Sequence, residues 1–366
     1  MRKRIAILHP TFLGGGAEAV CVWLLEALKD RYDTTLYTLL PINFEELNKI
    51  YGTTLSLENI KIKSVFSNDF ALILLHLFKN SKILSRLRKP ILMQYFKQQN
   101  KDFDLGVSTF NEMDMGVNGI QYLHRPPHRD NRLINWFSDF SEKRMKENLT
   151  IANSKSTAEE VKKKYGINPH VIFPPVTSSF SSVNWNNKKE GFICIGRLIE
   201  AKQAHRAVKI VGNLREQGYD VHIHVVGSKG DKKYYKLLTK MQRENPSWVF
   251  LEKDLERNKL NRLLSDHKYG VHLKPEPFGI VAAEMINAGC ITFVRNKGGL
   301  LEIVGKHKYL VFENDKDATK KIIKVLSSRK LQQKIRKYLI GRRNLFSIER
   351  FQKEIRRVVG DFLSQK

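Results

Sequence analysis

Two carboxylates separated by seven residues, Glu276 and Glu284, flank the Phe278–Gly279 step in the stretch Lys274–Val304. An ionised carboxylate only accepts hydrogen bonds, so it suits a diol that donates two of them. Glu276 falls in the loop after an apolar run, 269–273, that reads as a buried strand. Glu284 falls about one and a half turns into the short helix that opens at Gly279 and ends near Gly289. Both can face a ligand at that helix N-terminus, where the unpaired N–H groups of Gly279, Ile280 and Val281 favour an anionic or hydroxyl-rich partner. Arg197 and Lys202 stand five positions apart in another strand-to-helix loop, after the strand Gly191–Ile195. They can converge on a diphosphate, arginine as a bidentate fork and lysine as a point charge. His124 closes a third strand, Gly119–Leu123, at the end where open α/β sheets bind ligands. A diol, hydroxyls and a diphosphate together describe a sugar nucleotide. The Glu pair alone is equally compatible with two solvated acids at a helix start.

The elements that must hold these residues follow in order. Arg4–His9 is an apolar strand, and Gly14, Gly15, Gly16 and Glu18 lead into a helix with Val20, Trp23, Leu24, Ala27 and Leu28 on its apolar side. The glycine spacing is neither a dinucleotide fingerprint nor a P-loop, so on its own it marks a tight turn. Strands are expected at Thr34–Leu39, Asp104–Ser108, Gly119–Leu123 and Asn148–Asn153, with a helix over Glu45–Tyr51. Ser154 is placed to N-cap a helix running to Lys164. The run 166–176 reads as a strand stopped by Pro174 and Pro175. After a Ser-, Asn- and Lys-rich linker at 179–190, the pattern restarts with Gly191–Ile195, a helix over Ala204–Leu214, and Val221–Val226 ending at Gly227. Trp248–Leu251, Asn258–Asp266, Tyr269–Leu273 and Cys290–Val294 complete the alternation, and Gly298–Gly299 opens another helix. Alternating strands and helices imply parallel sheets with right-handed crossovers. The last helix, Ser347–Leu363, carries Ile348, Phe351, Ile355, Val358, Val359 and Phe362 on one stripe.

Composition bounds the class. A chain of 366 residues, 42% hydrophobic and 10% aromatic, suits two globular domains of about 150 residues each. No segment approaches the roughly 18 consecutive apolar residues of a membrane span, and the basic, apolar N-terminus reads as a first strand rather than a targeting signal. Cys21, Cys194 and Cys290 sit singly, without metal-ligand spacing, as buried thiols of a reducing cytosol. The 64 Lys and Arg against 37 Asp and Glu give a net charge of +27, a field that attracts polyanions: nucleic acid, an anionic membrane surface or phosphorylated substrates. Between Lys61 and Lys101 nine basic residues accompany one acid, Asp69, and alternate with apolar residues at helical spacing. That is a basic amphipathic pattern suited to an interfacial helix.

Five features in order, the Gly-Gly-Ala-Glu loop at 15–18, His124 in Gln-Tyr-Leu-His-Arg-Pro, the Val-Ile-Phe-Pro-Pro-Val run at 171–176, Gly196-Arg197 with Lys202, and Glu276 with Glu284 around Phe278-Gly279, resemble the retaining glycosyltransferases of family four. The resemblance covers nearly the whole chain. It implies a GT-B fold: two Rossmann-like α/β domains, 1–178 for the acceptor and 191–346 for the nucleotide sugar, with parallel sheets facing across a cleft and the C-terminal helix, 347–366, returning to the first domain. It assigns the leaving diphosphate to Arg197 and Lys202, the ribose diol to Glu284, and the donor sugar to Glu276 and the backbone of Phe278 and Gly279. His124 falls to the reaction centre, while His128 has no counterpart. Gly196, Gly227, Gly298 and Gly299 become donor-side loops, with Ile280 and Val281 beside them, and Gly14, Gly15, Gly16 and Glu18 the acceptor side. Gln203 departs from the family's usual glycine. The implied reaction needs no metal or cofactor, the UDP- or GDP-sugar being a substrate. The acceptor would be a saccharide or lipid-linked saccharide of a surface polysaccharide, lipopolysaccharide or glycan precursor, handled at the cytoplasmic face of an anionic membrane. Rival readings are a basic nucleic-acid-binding protein, which lacks a reader motif, and a catalytically silent GT-B partner subunit.

Overall fold

The computed structural model describes residues 2–126, 138–177, 180–228 and 230–365, so His128 and Ser179 fall outside it. The chain divides into two compact units, residues 1–177 with 347–366, and residues 178–346. In unit 1 the strands are β1 (Arg4–Leu8), β2 (Asp33–Thr38), β3 (Ile60–Ser64), β4 (Leu105–Ser108), β5 (Ile120–Leu123), β6 (Leu149–Ala152) and β7 (His170–Val171). Its helices before the crossing into unit 2 are α1 (Gly16–Leu28), α2 (Phe44–Tyr51), α3 (Asn68–Asn80), α4 (Lys82–Lys97), α5 (Glu142–Lys146) and α6 (Lys155–Tyr165). Unit 2 holds β8 (Lys189–Ile195), β9 (His222–Gly227), β10 (Val249–Lys253), β11 (His267–His272), β12 (Ile291–Arg295) and β13 (Val311–Phe312). Its helices are α7 (Ala204–Glu216), α8 (Lys232–Glu244), α9 (Arg257–Asp266), α10 (Ile280–Asn287), α11 (Leu300–Val304), α12 (Asp315–Leu326) and α13 (Arg329–Arg343). The last helix, α14 (Ile348–Ser364), belongs to unit 1.

Both sheets are parallel throughout, in the order β3-β2-β1-β4-β5-β6-β7 and β10-β9-β8-β11-β12-β13. Strands covered on both faces read as continuous apolar runs, and β1 (RIAIL) and β4 (LGVS) are buried almost end to end. In each sheet the order reverses once, between β1 and β4 in unit 1 and between β8 and β11 in unit 2. Crevices outside the carboxyl ends of strands at such reversals are where doubly wound sheets take ligands. The loops after β1, β8 and β11, which carry nearly all the residues singled out by their chemistry, leave the sheets at these two places.

The C-terminal helix packs as its stripe requires. Phe351, Ile355, Val358 and Val359 are buried in one cluster with Val20, Trp23, Leu24 and Ala27 of α1. Ser347 caps it by accepting from the Arg350 amide, and Arg356 Nε donates to the Ala27 carbonyl 2.9 Å away. Burying four such side chains contributes roughly 2 kcal/mol each, enough to hold a segment whose neighbours in sequence all lie in unit 2. Ser154 caps α6 through the Thr157 amide.

Several elements differ from the pattern read in the sequence. β3 is an edge strand where a connector is expected; its Lys-Ile-Lys alternation hides the apolar face, and Lys61 pairs with Asp33 at 2.8 Å on the open side. The run 166–176 contributes only His170–Val171 to the sheet, because Pro174 and Pro175 follow at once. β13 interrupts the expected all-helical tail. The stretch 179–190, expected as a linker, counts with unit 2: Lys188 is buried and its ammonium donates to the carbonyls of Ser265 and Ala288, while β8 already begins at Lys189. In the basic stretch 61–101, Leu92, Met93 and Phe96 of α4 enter the core. α3 instead leaves Phe70 and Ile73 about 60% exposed, at 60% and 61%, with Leu77 one turn further on the same face.

Candidate functional site

The switch point of unit 2 gathers the cations and carboxylates. Lys202 stands in a single 3-10 turn after β8 and Glu276 in the loop after β11; their Nζ and Oε1 atoms lie 2.5 Å apart, each side chain about one-fifth exposed. Sequence distance hides this pairing, and the two adjacent strands create it. Arg197 is exposed in the same loop, and among the described residues its guanidinium has no side-chain partner. Gln203, where the family resemblance leads one to expect glycine, adopts a left-handed conformation, φ +59°, at the start of α7. Its side chain accepts from Arg206, which is forked onto Asp315.

The two glycine pairs shape this crevice. A side chain on Gly227 at the end of β9 would collide with the Gly196 carbonyl, with a Cβ only 1.8 Å from its oxygen, so these loops touch backbone to backbone. Gly298 bridges Glu276, and the Gly299 amide donates to the Glu276 carbonyl at 2.9 Å. This pair therefore braces the loop that carries Glu276. Gly279, at φ +103°, turns the chain into α10, which has no capping side chain and so presents the Ile280 and Val281 amides at its start. The Phe278 ring is buried against Phe346, its centroid 5.7 Å away, which leaves the Phe278 contribution to the site to its backbone. Glu284 is buried on α10 and ion-pairs with Arg257, the first residue of α9.

Unit 1 presents neutral histidines beside a cation at its own switch point. His124, after β5, lies with Nε2 2.9 Å from the Thr109 carbonyl; a carbonyl only accepts, so Nε2 carries the proton and Nδ1 keeps its lone pair. Burial, with Arg125 adding, pulls its pKa down to about 4. Asn111 Oδ1 accepts from the His124 amide and Asn153 donates to its carbonyl, fixing the backbone on both sides. The glycine loop is held by Glu18, whose two oxygens accept from the amides of Leu13 and Gly14 at 2.7 and 2.5 Å, with the Tyr51 hydroxyl beside them. Burial raises the Glu18 pKa. Glu18 thus shapes the loop from within, and Gly14, Gly15 and Gly16 form its outer surface. A cavity of about 250 Å³ opens there, lined by Gly14, Glu18, Ile42, Leu47, Ile50 and Leu75 among others.

Four residues of these two places escape a reading by motif. His9 follows β1 directly and is fully buried: Thr109 donates its hydroxyl proton to Leu8, so His9 Nδ1 donates to Thr109 Oγ1 at 2.9 Å, and Nε2 is a buried lone pair with no partner among the described residues. Burial, then His124, drop its pKa to about 3. His272 ends β11 in the same condition, its buried Nε2 3.9 Å from Glu276 Oε1 and its pKa pulled by burial to about 4. Arg88 belongs to the basic amphipathic stretch, yet it turns inward, donating to Thr11 Oγ1 at 2.7 Å and lying over the Phe110 ring. Arg257 is the fourth. The strand-end rule that selects His124 applies equally to His9 and His272; nothing in the spacing points to Arg88 or Arg257. A cavity of about 670 Å³ lies elsewhere in unit 2, among Trp185, Glu190, Lys268, Arg329 and Arg336, and contains none of these groups.

Solved structures share this fold along the whole chain. Alr3699/HepE of Anabaena, in complex with UDP and glucose, superposes with a TM-score of 0.70 at 15% identity, covering 98% of this chain and 99% of that one. The pneumococcal O-GlcNAc transferase GtfA, in complex with UDP and GlcNAc, gives 0.69 at 11%, covering 99% of each chain. Sucrose-phosphate synthase of Thermosynechococcus elongatus gives 0.69 at 15%, covering 100% of each chain. At such identities the likeness is one of fold: the doubly wound pair of units with a returning C-terminal helix is the GT-B fold. No curated protein matches the chain in sequence. Residues 175–342, nearly the whole of unit 2 and with it Arg197, Lys202, Glu276 and Glu284, match the family of glycosyl transferases group 1.

Proposed function

We propose that this protein is a retaining, metal-independent glycosyltransferase that moves a sugar from a nucleotide-sugar donor to a hydroxyl of a saccharide or lipid-linked saccharide. The observation that carries the reading is the pairing of Lys202 with Glu276 at the unit 2 switch point, in loops that also carry Arg197 and lead into the open start of α10. Arg197 and Lys202 stabilise the charge that grows on the leaving diphosphate, the dominant need of such a step. Glu276 and the backbone at Phe278–Gly279 hold the sugar hydroxyls. Glu284, oriented by Arg257, accepts from the ribose diol. The acceptor oxygen attacks the anomeric carbon on the face from which the diphosphate leaves, a phosphate oxygen takes the acceptor proton, and the sugar keeps its configuration. The UDP held by the Anabaena and pneumococcal proteins favours a uridine donor.

Unit 1 is assigned the acceptor. His124, neutral with a free Nδ1 lone pair, accepts from a hydroxyl of the sugar or the acceptor, and Arg88 with Arg125 supplies charge for an acidic acceptor. The apolar side of the 250 Å³ cavity suits the lipid part of a lipid-linked saccharide. Phe70, Ile73 and Leu77, exposed on one face of α3 in a chain of net charge +27, suit adsorption to an anionic membrane surface. Among the described residues no helix is long and apolar enough to cross a membrane.

A panel of nucleotide sugars, scored for binding by calorimetry and for slow hydrolysis, tests the donor reading and fixes base and sugar together. Binding of one UDP-sugar with release of UDP is expected, and the anomeric configuration of the transferred sugar, read by NMR, tests retention. Tight binding of duplex DNA at physiological salt with no response to any nucleotide sugar would overturn the reading. Sedimentation with phosphatidylglycerol vesicles at low salt tests the membrane claim; Phe70→Ser with Ile73→Ser should abolish it while leaving donor hydrolysis intact.

A further inference from the structure

We propose that His222, His224 and His267 form a site for a single divalent d-block cation of the Zn²⁺ type, placed away from the transfer chemistry. Each offers one ring nitrogen, and the three nitrogens lie within 4.8 Å of one another; among the described residues this is the one such group of three metal-ligating side chains. His222 and His224 stand two apart on β9 and so share a face of the sheet, while His267 opens β11. Strand β8 runs between those two strands, and its residue opposite His222 is Gly191. A side chain at Gly191 would occupy the imidazole's place, its Cβ 2.3 Å from His222 Nε2. The glycine lets histidines from β9 and β11 meet across the intervening strand.

Proton positions on His267 and His224 favour ligation, while His222, whose Nε2 donates to His267 Nε2, shifts that proton to Nδ1 to bind through Nε2. His267 Nδ1 lies 2.7 Å from the Leu263 carbonyl, an acceptor only, so Nδ1 carries the proton and Nε2 the lone pair. That Nε2 stands 3.0 Å from His222 Nε2, close to the roughly 3.4 Å that two nitrogens keep around a tetrahedral ion with bonds of about 2.1 Å. His224 Nδ1 lies 3.2 Å from the Glu252 carboxylate on β10, so donation to Glu252 leaves its Nε2 lone pair available. Metal-bound histidines are held by such partners, a carbonyl on one and a carboxylate on another. Burial lowers the pKa of His222, of His224 to about 4 and of His267 to about 3, so all three are neutral ligands at pH 7. Lys189 and Arg215 oppose a cation there, and Glu252 and Asp220 offset them. Three imidazoles with a carboxylate nearby select Zn²⁺ and its d-block neighbours over Mg²⁺ or Ca²⁺. His222 and His267 open β9 and β11, about 16 Å of strand from their carboxyl ends, and His224 lies about 10 Å from the end of β9. Its ion would tie β9 to β11 and stiffen the sheet under the donor loops.

The test uses the full chain stripped with a chelator and titrated with Zn²⁺ by calorimetry, with Co²⁺ as a spectroscopic substitute. One equivalent of Zn²⁺ should bind and raise the melting temperature, and Co²⁺ should develop the visible bands of a tetrahedral site. Glu252→Gln should weaken Zn²⁺ binding roughly 10- to 100-fold, and His224→Gln with His267→Gln should abolish it. Zn²⁺ uptake identical in the histidine variants, or no stoichiometric uptake by the unaltered chain, would overturn the proposal. Should those variants fail to fold, the Co²⁺ spectrum of the unaltered chain decides: absence of tetrahedral bands overturns it.

Discussion

Replacing Lys202 by alanine separates two consequences that the 2.5 Å pair with Glu276 ties together. The first is loss of the cation proposed to stand beside the leaving diphosphate. Removing one preorganised group of this kind typically costs about 10²–10³ in kcat, or roughly 3–4 kcal/mol. The second is a carboxylate left without its partner. With Glu276 only 21% exposed, an effective dielectric near 20 and a separation of about 5 Å from the diphosphate, the repulsion is about 3 kcal/mol, or roughly 100-fold in affinity. K202A should therefore lose both turnover and UDP affinity. Adding E276Q removes the repulsion but not the catalytic loss, so the double variant should regain about 10- to 100-fold in UDP binding while kcat stays low. UDP, which lacks the sugar, keeps the sugar contacts of Glu276 out of the binding measurement. The assays are calorimetric titration with UDP and initial rates of donor hydrolysis. Turnover within about threefold of the parent for K202A, or a double variant that binds UDP no better than K202A, would refute the assignment.

Other outcomes follow from the same contacts. Gly227→Ala would force the Gly196 loop away and should cost about 1–3 kcal/mol, seen as a lower melting temperature that bound UDP partly restores. Phe351→Ala empties a fully buried position between α14 and α1 and should cost about 3–5 kcal/mol in denaturant unfolding; a change under 1 kcal/mol would contradict the packing. His9, His124 and His272 protonate near pH 3 to 4 in the folded chain, against 6.5 unfolded. The unfolded state therefore binds more protons throughout that window, and stability should fall as pH drops from 6.5 towards 4, by about 1.4 kcal/mol per pH unit for each histidine. Melting temperatures that stay level from pH 7 to 5 would contradict their burial as neutral rings.

What the sequence discloses is what acts locally. Apolar strands covered on both faces, the Ser154 cap and the glycine-bearing loops are each written within a few residues, and together they place Arg197, Lys202, Glu276 and His124 at strand ends before any coordinates exist. What it withholds depends on neighbours set by strand order. Lys202 meets Glu276 because β8 and β11 adjoin, and Glu284 meets Arg257, the first residue of α9, from 27 positions away. Glu18 shows the opposite risk. Its position in the motif suggests a contact with the acceptor, whereas its carboxylate is spent on the amides of its own loop. Arg88 sits among residues that read as a solvent-facing basic stripe, and only the fold reveals that it points to the end of β1.

The two switch points share a physical device. Each has a buried histidine at the end of a central strand, His9 just after β1 and His272 closing β11, with a ring nitrogen that no described residue satisfies. In a chain of net charge +27, a protonated ring at either place would add a cation beside Arg88 or Lys202 and would compete with them for anions. Burial keeps both rings neutral, so they present hydrogen-bonding nitrogens without charge. An unsatisfied buried polar atom costs about 1–3 kcal/mol, a cost that no hydrogen bond among the described residues relieves at either position. Its recurrence at the one crevice each sheet topology provides is the signature expected of groups kept for a hydroxyl-bearing ligand rather than for the core. Replacing His272 by phenylalanine should accordingly stabilise unit 2 while weakening donor binding, and loss of stability together with unchanged binding would assign that ring to packing alone.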